Sequence, residues 1–223
     1  MAGRLYVVGT PIGNLEDITL RAIRILGEVA TIACEDTRQT VKILNRYGIR
    51  KPLVSYFHPQ EGRRIPEIIR QLKDGRDVAL VSDAGTPGIS DPGFPLIREA
   101  LKEGITVIPI PGPSAVAAAM SAAGLPTHRF LFAGFPPPKK AGLRKVLEGL
   151  AHEESTLVFY LPTRRLAEFL GAVIEVLGDR RVVVAREMTK VHEEFLRGTA
   201  AELAASIGSR ALKGEATVLI QGA

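Results

Sequence analysis

The chain has 223 residues, enough for one large α/β domain or two small ones with a real core. With 46% hydrophobic and 24% charged residues it has the composition of a soluble globular protein, and no apolar run approaches the roughly 20 residues of a membrane helix. A formal charge of +5 biases it toward polyanionic partners without proving one. The opening residues Met1 to Arg4 carry no secretory pattern and Cys34 stands alone, so an intrachain disulfide is excluded and a cytoplasmic address is expected.

In chain order, apolar runs of strand length alternate with helical patterns. Leu5 to Val8 predicts the first strand; Leu15, Ile18, Ala22, Ile25 and Val29 then form a helical stripe that Gly27 is expected to end. Val29 to Cys34 predicts the second strand, followed by a helix over Gln39 to Tyr47 that stops at Gly48. Strands at Leu53 to Phe57, Val78 to Val81 and Ile105 to Ile110 follow, with helices over Pro66 to Lys73 and Phe94 to Glu103. Repeated βα units of this kind imply a mainly parallel sheet between helices.

The run Pro109 to Pro113 reads as a seam, giving lobes over residues 1–112 and 113–223. After it, Ser114 to Ala123 predicts a small-residue helix with Pro113 suited to its first turn. Strands are expected at Phe130 to Ala133, Thr156 to Leu161, Val182 to Arg186, Glu194 to Arg197 and Thr217 to Ile220. A hairpin around Met188 to His192 makes the second sheet mixed, so the fold class is a two-lobed α/β protein.

Four loops carry the chemistry. Ser82 to Gly93 packs three glycines, two prolines and two aspartates between a strand and a helix, more than a simple turn needs. Glycine lets backbone approach a ligand, and Asp83 and Asp91 can accept hydrogen bonds from hydroxyl or amino groups. Gly9 to Asn14 lies at the same sheet edge but is neither G-x-G-x-x-G nor a P-loop. Cys34 to Arg38 ends the second strand with two acids, a hydroxyl and a guanidinium, and Asp36 is equally a helix cap there. Arg186 to Glu194 holds six ionisable side chains in nine residues, which a plain charged hairpin also explains.

Other chemistries find little support. The four histidines are scattered and lack metal-ligand spacing, and neither a G-x-S-x-G elbow nor a partner for Cys34 supports nucleophilic catalysis. Basic pairs recur, and the group from Lys139 to Lys145 behind Pro136-Pro137-Pro138 is the best placed to meet nucleic acid. Tyr56-Phe57-His58 and Phe135 stand beside basic loops, where they can stack on bases or simply pack.

Taken with Pro111 to Ala115 and Glu187 to Lys190, these loops resemble, in order and over nearly the whole chain, the tetrapyrrole (corrin/porphyrin) methylase family. Within it they are most similar to the bacterial enzymes that methylate the ribose 2′-oxygen of a cytidine in the decoding region of 16S ribosomal RNA. The resemblance implies S-adenosylmethionine as methyl donor in a cleft between the lobes. It places Pro11, Asp83, Ala84, Thr86, Pro87 and Ile89 against the donor, with Ser114, Ala115, Tyr160, Leu161, Met188, Gly214, Glu215 and Ala216 on the adenosine side. It also implies a homodimer and, as substrate, 16S ribosomal RNA or the small ribosomal subunit. Some relatives carry a helical extension beyond the point where this chain stops, at Ala223, so whatever that extension adds to RNA docking is expected to be absent or supplied by another surface.

In-line displacement at a sulfonium methyl requires neither metal nor covalent intermediate, but it needs an acceptor for the hydroxyl proton. Glu187, Lys190, Asp36 and His192 are the candidates, with the Glu187–Lys190 region slightly favoured. Arg38, Arg186, Lys139 and Lys140 are expected to position RNA phosphate or ribose. The same residues leave two other readings open: methylation of a tetrapyrrole or other small substrate, and a non-catalytic RNA-binding module.

Overall fold

The computed structural model describes residues 2–58, 61–208 and 212–223. The chain divides into two compact units, Met1–Ser114 and Ala115–Ala223. The first is built on β1 (Leu5–Val8), β2 (Thr31–Cys34), β3 (Leu53–Ser55), β4 (Val78–Val81) and β5 (Val107–Ile110). All pair in parallel, in the order β3-β2-β4-β1-β5. The three inner strands are buried along their whole length, which is why they read as unbroken apolar runs.

Helices α1 (Leu20–Glu28) and α2 (Thr37–Arg46) cover one face of this sheet; α3 (Glu61–Lys73) and α4 (Phe94–Lys102) cover the other. On the first face Ala22, Ile25, Leu26, Ile43 and Leu44 pack on Tyr6, Val8, Ile32, Cys34, Ala79 and Val81. Strand residues one step out of phase, Leu5, Ala33, Val78 and Leu80, pack with Ile68, Ile69, Leu72, Leu96 and Ala100.

Element boundaries depart from the sequence reading where capping competes with periodicity. The expected helix from Leu15 is split: Leu15–Asp17 is a short 3-10 turn capped by Asn14, and α1 starts after Thr19, whose side chain accepts the Ala22 N–H. Gly27 lies inside α1 rather than ending it. Asp36 caps α2 at Thr37, two residues earlier than expected, while α3 runs on both sides of Pro66. Proline there removes only the N–H that would reach Gly62, an exposed residue.

The second unit opens with α5 (Ala115–Ala123) and carries β6 (Phe130–Gly134), α6 (Lys140–Gly149), β7 (Thr156–Pro162), α7 (Leu166–Leu177), β8 (Arg181–Arg186), β9 (Glu194–Thr199), α8 (Ala200–Ile207) and β10 (Glu215–Ile220). Its sheet runs β6-β7-β10-β8-β9, with β6 parallel to β7 and the remaining pairs antiparallel. Phe159, Leu161, Val184, Val218 and Ile220 face a core shared with α6, α7 and α8, and α5 packs against β8 and β10. Thr199 and Glu202 form a reciprocal capping box that starts α8 directly from β9.

Candidate active site

In the first unit, β1 and β4 are neighbours whose connections leave in opposite directions, to β2 through α1 and to β5 through α4. Such a switch point opens a crevice at the carboxyl ends of the strands. Thr10 and Gly85 bridge it, exchanging backbone hydrogen bonds of 2.8 and 3.1 Å, while Thr10 Oγ1 also lies 3.1 Å from the Ser82 carbonyl. Gly9 and Gly112 touch through backbone alone: a Cβ on Gly9 would stand 2.8 Å from Gly112 Cα. The loops after β1, β4 and β5 are thereby locked to one another, with Asp83, Ala84 and Ile89 exposed, Thr86 half-buried and Pro11 and Pro87 buried.

Beside this crevice lies a cavity of about 780 Å3, lined by Glu35, Asp36, Arg38, Phe57, His58, Asp83, Ser90, Asp91 and Phe94 among others. Asp83 ties the two features together, because its Oδ1 accepts the Asp36 N–H at 3.0 Å. The far wall is the Ser82–Gly93 loop closed on itself, the Gly88 N–H reaching Pro92 and the Gly93 N–H reaching Glu61 Oε1. Gly93, at φ +150°, leaves only 3.0 Å between an added Cβ and the Gly88 nitrogen, so this corner requires glycine.

The carboxylates differ in proton affinity. Partial loss of solvent around the carboxyl groups pushes Glu35, and the otherwise exposed Asp83, above the usual range, with the Asp83 charge adding to the rise at Glu35. Asp36 goes the other way, to about 2, chiefly through the Arg38 side chain, which stands 2.6 Å from Oδ2. A carboxylate this acidic is a weak proton acceptor at neutral pH. Its folded value lies below that of an unfolded aspartate, so the associated stability is complete above about pH 4 and lost as pH falls through about 2. Arg38→Ala is expected to return the Asp36 carboxyl, followed by carbon-detected NMR, toward the ordinary value of about 3.9. An unmoved titration would show that Arg38 does not set it.

The second unit gathers its candidates at one edge of its sheet. Because β10 runs antiparallel to β7 and β8, its start meets their ends: Glu215 is opposite Pro162, and Ala216 is opposite both Leu161 and Arg186. Thr163 Oγ1 lies 2.9 Å from the Gly214 carbonyl, and the Glu187 N–H reaches Glu215. Tyr160 contacts Phe132 and Phe135 at ring separations of 4.8 and 5.4 Å, so Phe135 packs on a ring while staying half exposed.

The hairpin after β8 is strained. Glu187 and Thr189 both adopt positive φ, at 48° and 67°, flanking the buried Met188. Lys190 Nζ donates to Glu187 Oε1 at 2.9 Å, which with the Arg186 and Glu215 groups holds the Glu187 carboxyl below its ordinary range. Arg186 is committed to Glu194 at 2.9 Å, yet its Nε and Thr189 Oγ1 are buried without hydrogen-bond partners. His192 is exposed on the same turn.

Thus Pro11, Asp83, Ala84, Thr86, Pro87 and Ile89 share one edge of the first unit, and Tyr160, Leu161, Met188, Gly214, Glu215 and Ala216 share one edge of the second. Ser114 closes the first unit and Ala115 opens α5. Asp36 and Arg38 belong to the first-unit cavity, far in sequence from the Glu187–Lys190 turn. Lys139 and Lys140 stand exposed at the start of α6, where a helix N-terminus disfavours cations. Sequence reading left out Ser55, Glu61, Ser90 and Phe94 as site residues; only the Ser90-Asp91-Pro92-Gly93 run carried a signal for them.

This architecture and these loops define a methylase class. The family profile of Tetrapyrrole (Corrin/Porphyrin) Methylases matches residues 4–204, and the chain belongs to that family. Within it, the chain is 47% identical to the "Ribosomal RNA small subunit methyltransferase I" of Thermotoga maritima, over 99% of each chain. The protein of the same name from Halalkalibacterium halodurans is 49% identical over 99% of this chain and 76% of its own length. Among solved structures, uroporphyrin-III-C-methyltransferase from Thermus thermophilus superposes with a TM-score of 0.69 at 22% identity, covering 98% of this chain and 94% of that one, a likeness of fold alone.

Proposed function

We propose that this methyltransferase transfers the methyl group of S-adenosylmethionine to the ribose 2′-oxygen of a cytidine in 16S ribosomal RNA. The observation that carries the reading is near-full-length identity of 47% and 49% to relatives named for small-subunit ribosomal RNA. Each unit by itself offers groups of the kind such a donor uses. Arg186 Nε and Thr189 Oγ1 are buried donors lacking partners, and Asp83 offers an exposed carboxylate to hydroxyl or ammonium groups. Gly85, at φ +80°, keeps the loop backbone clear of any Cβ.

When bound, S-adenosylmethionine supplies an electrophilic methyl. The chain's own task is to bring the nucleophilic oxygen to about 3 Å in line and to take its proton. Glu187 and Lys190, paired at 2.9 Å on one turn, are the preferred pair. Lys139 and Lys140, exposed where a helix start gains nothing from positive charge, suit phosphate contacts; Arg38, 86% exposed, suits them as well. Arg186, already engaged by Glu194, suits positioning of a group within the hairpin. Pairing of two copies and a cytoplasmic location belong to the same reading, and no described helix is long and apolar enough to cross a membrane.

The test supplies labelled donor and small ribosomal subunits that lack the modification. Nucleoside mass spectrometry is expected to find the label on a cytidine ribose. Label on a base, or on a porphyrin precursor with none on RNA, would replace the proposal.

A further inference from the structure

We infer that the exposed face of α2, from Arg38 through Lys42 to Arg46, with Arg50 and Lys51 in the loop behind it, is a track for the phosphates of an RNA strand. The inference rests on reading the chain as an RNA methyltransferase and names the surface on which the substrate's backbone docks.

Charge is spread unevenly along this chain. Between Asp36 and Glu61 there are five lysines and arginines and no aspartate or glutamate. Other helices set carboxylates beside their cations: Arg24 with Glu28 on α1, Arg64 with Glu67 on α3, Lys102 with Glu99 on α4 and Arg144 with Glu148 on α6. Among the described α-helices, α2 alone carries cations and no carboxylate. Of its three cations only Arg38 is in an ion pair, with Asp36 at the helix cap. Lys42 donates to the uncharged Gln39 Oε1 at 2.9 Å, and Arg46, Arg50 and Lys51 pair with no described carboxylate. Like charges four residues apart repel, so the row weakens the helix that bears it. The helix dipole accounts for Arg46, in the last turn, but not for Arg38 at the start or Lys42 between them.

The geometry suits a single strand. Thr40, Ile43 and Leu44 bury the opposite face of α2 and leave Arg38, Lys42 and Arg46 exposed at four-residue intervals, in one slanted row. Each step advances about 6 Å along the axis, which lets lysine and arginine stems reach successive phosphates of one strand. The row starts at the wall of the cavity that Arg38 lines together with Asp83, the residue expected to meet the methyl donor. A strand held on α2 is thereby led to that edge of the sheet. A lipid surface fits less well, because Val41, 40% exposed, is the one large apolar side chain this helix presents.

The experiment measures binding of small ribosomal subunits that lack the modification, over a series of salt concentrations. Each phosphate contact contributes about 0.7–0.9 to the slope of log K against log salt. Lys42→Gln and Arg46→Gln are each expected to lower the slope by that amount, and together to weaken binding about 25- to 60-fold at about 0.1 M salt. Glutamine is as good a helix former as the residues it replaces, so the variants should melt with wild type. Lys42→Arg, which keeps the charge, should keep the slope. The loss should fall on the subunit concentration that gives half-maximal transfer. Lys102→Gln removes a cation that Glu99 already pairs, on the other face of the sheet, and should leave the slope in place. A slope unmoved by Lys42→Gln and Arg46→Gln, or moved as much by Lys102→Gln, overturns the track and leaves the RNA reading standing. A loss that persists at saturating subunits overturns docking as the role of these residues. Wild type that binds anionic vesicles or an acidic peptide, and transfers methyl to no RNA, overturns the RNA reading and the track with it.

Discussion

Replacing Lys190 with alanine is expected to slow single-turnover methyl transfer by about 10²- to 10⁴-fold, the span attributed to a lost proton-transfer group. Donor affinity, measured by titration calorimetry, should stay within about threefold, because the lost group acts on the reacting hydroxyl and not on uniform binding. The turn is built around this side chain. Lys190 Nζ reaches Glu187 Oε1 at 2.9 Å, and the Lys190 N–H reaches the Glu187 carbonyl at 3.0 Å.

Two non-glycine residues at positive φ, Glu187 and Thr189, cost about 1–3 kcal/mol each. Lys190→Arg preserves the charge and its bond to Glu187 but cannot surrender a proton at working pH. Rescue by arginine would therefore assign Lys190 an electrostatic role. Unchanged transfer in Lys190→Ala would remove it from the reaction altogether. Gly214→Ala perturbs the same turn from behind, since an added Cβ there collides with the Glu187 carboxylate.

Gly9→Ala should destabilise the first unit by about 1–3 kcal/mol, the usual range for overpacking. For a chain of this length that lowers the midpoint of thermal unfolding by about 3–10 °C. The cause is backbone against backbone: the new Cβ would sit 2.8 Å from Gly112 Cα and 2.9 Å from its nitrogen, neither of which can rotate away. The loops after β1 and β5 would have to part, carrying Pro11 and the Thr10–Gly85 bridge with them. Misplacement of about 1 Å at such a site can cost about 100-fold in rate, so activity should fall further than stability alone explains. Gly27→Ala is the control: nothing lies within 4 Å of a Cβ there, and in the last turn of α1 alanine should stabilise by at most about 0.5–1 kcal/mol. Equal melting temperatures and rates for the two variants would refute the account.

Much of this was legible in the chain. Uninterrupted apolar runs at Leu5 to Val8 and Val78 to Val81 announced buried parallel strands, and the glycine- and proline-rich loops that follow announced the sheet edge where ligands gather. The hairpin between β8 and β9 was visible as charge dense enough to resist burial. Boundaries were less legible because side-chain caps, not periodicity, set them: Thr19 and Asp36 start helices that the apolar stripe alone misplaced.

Residue type and local spacing by themselves determined the βα alternation, the mixed second sheet and the loops at a ligand-binding sheet edge, since each depends on a few consecutive side chains. Methyl transfer entered through the family resemblance of those loops. Tertiary structure alone decided the strand order that opens the crevice between β1 and β4, and the union of Asp36 with Asp83 across 47 positions. It also decided the cavity that Glu35, Phe57, Glu61 and Phe94 line together. Those outcomes turn on how helices pack on opposite faces of a twisted sheet, a balance of buried area and chain crossing that no short stretch of sequence contains.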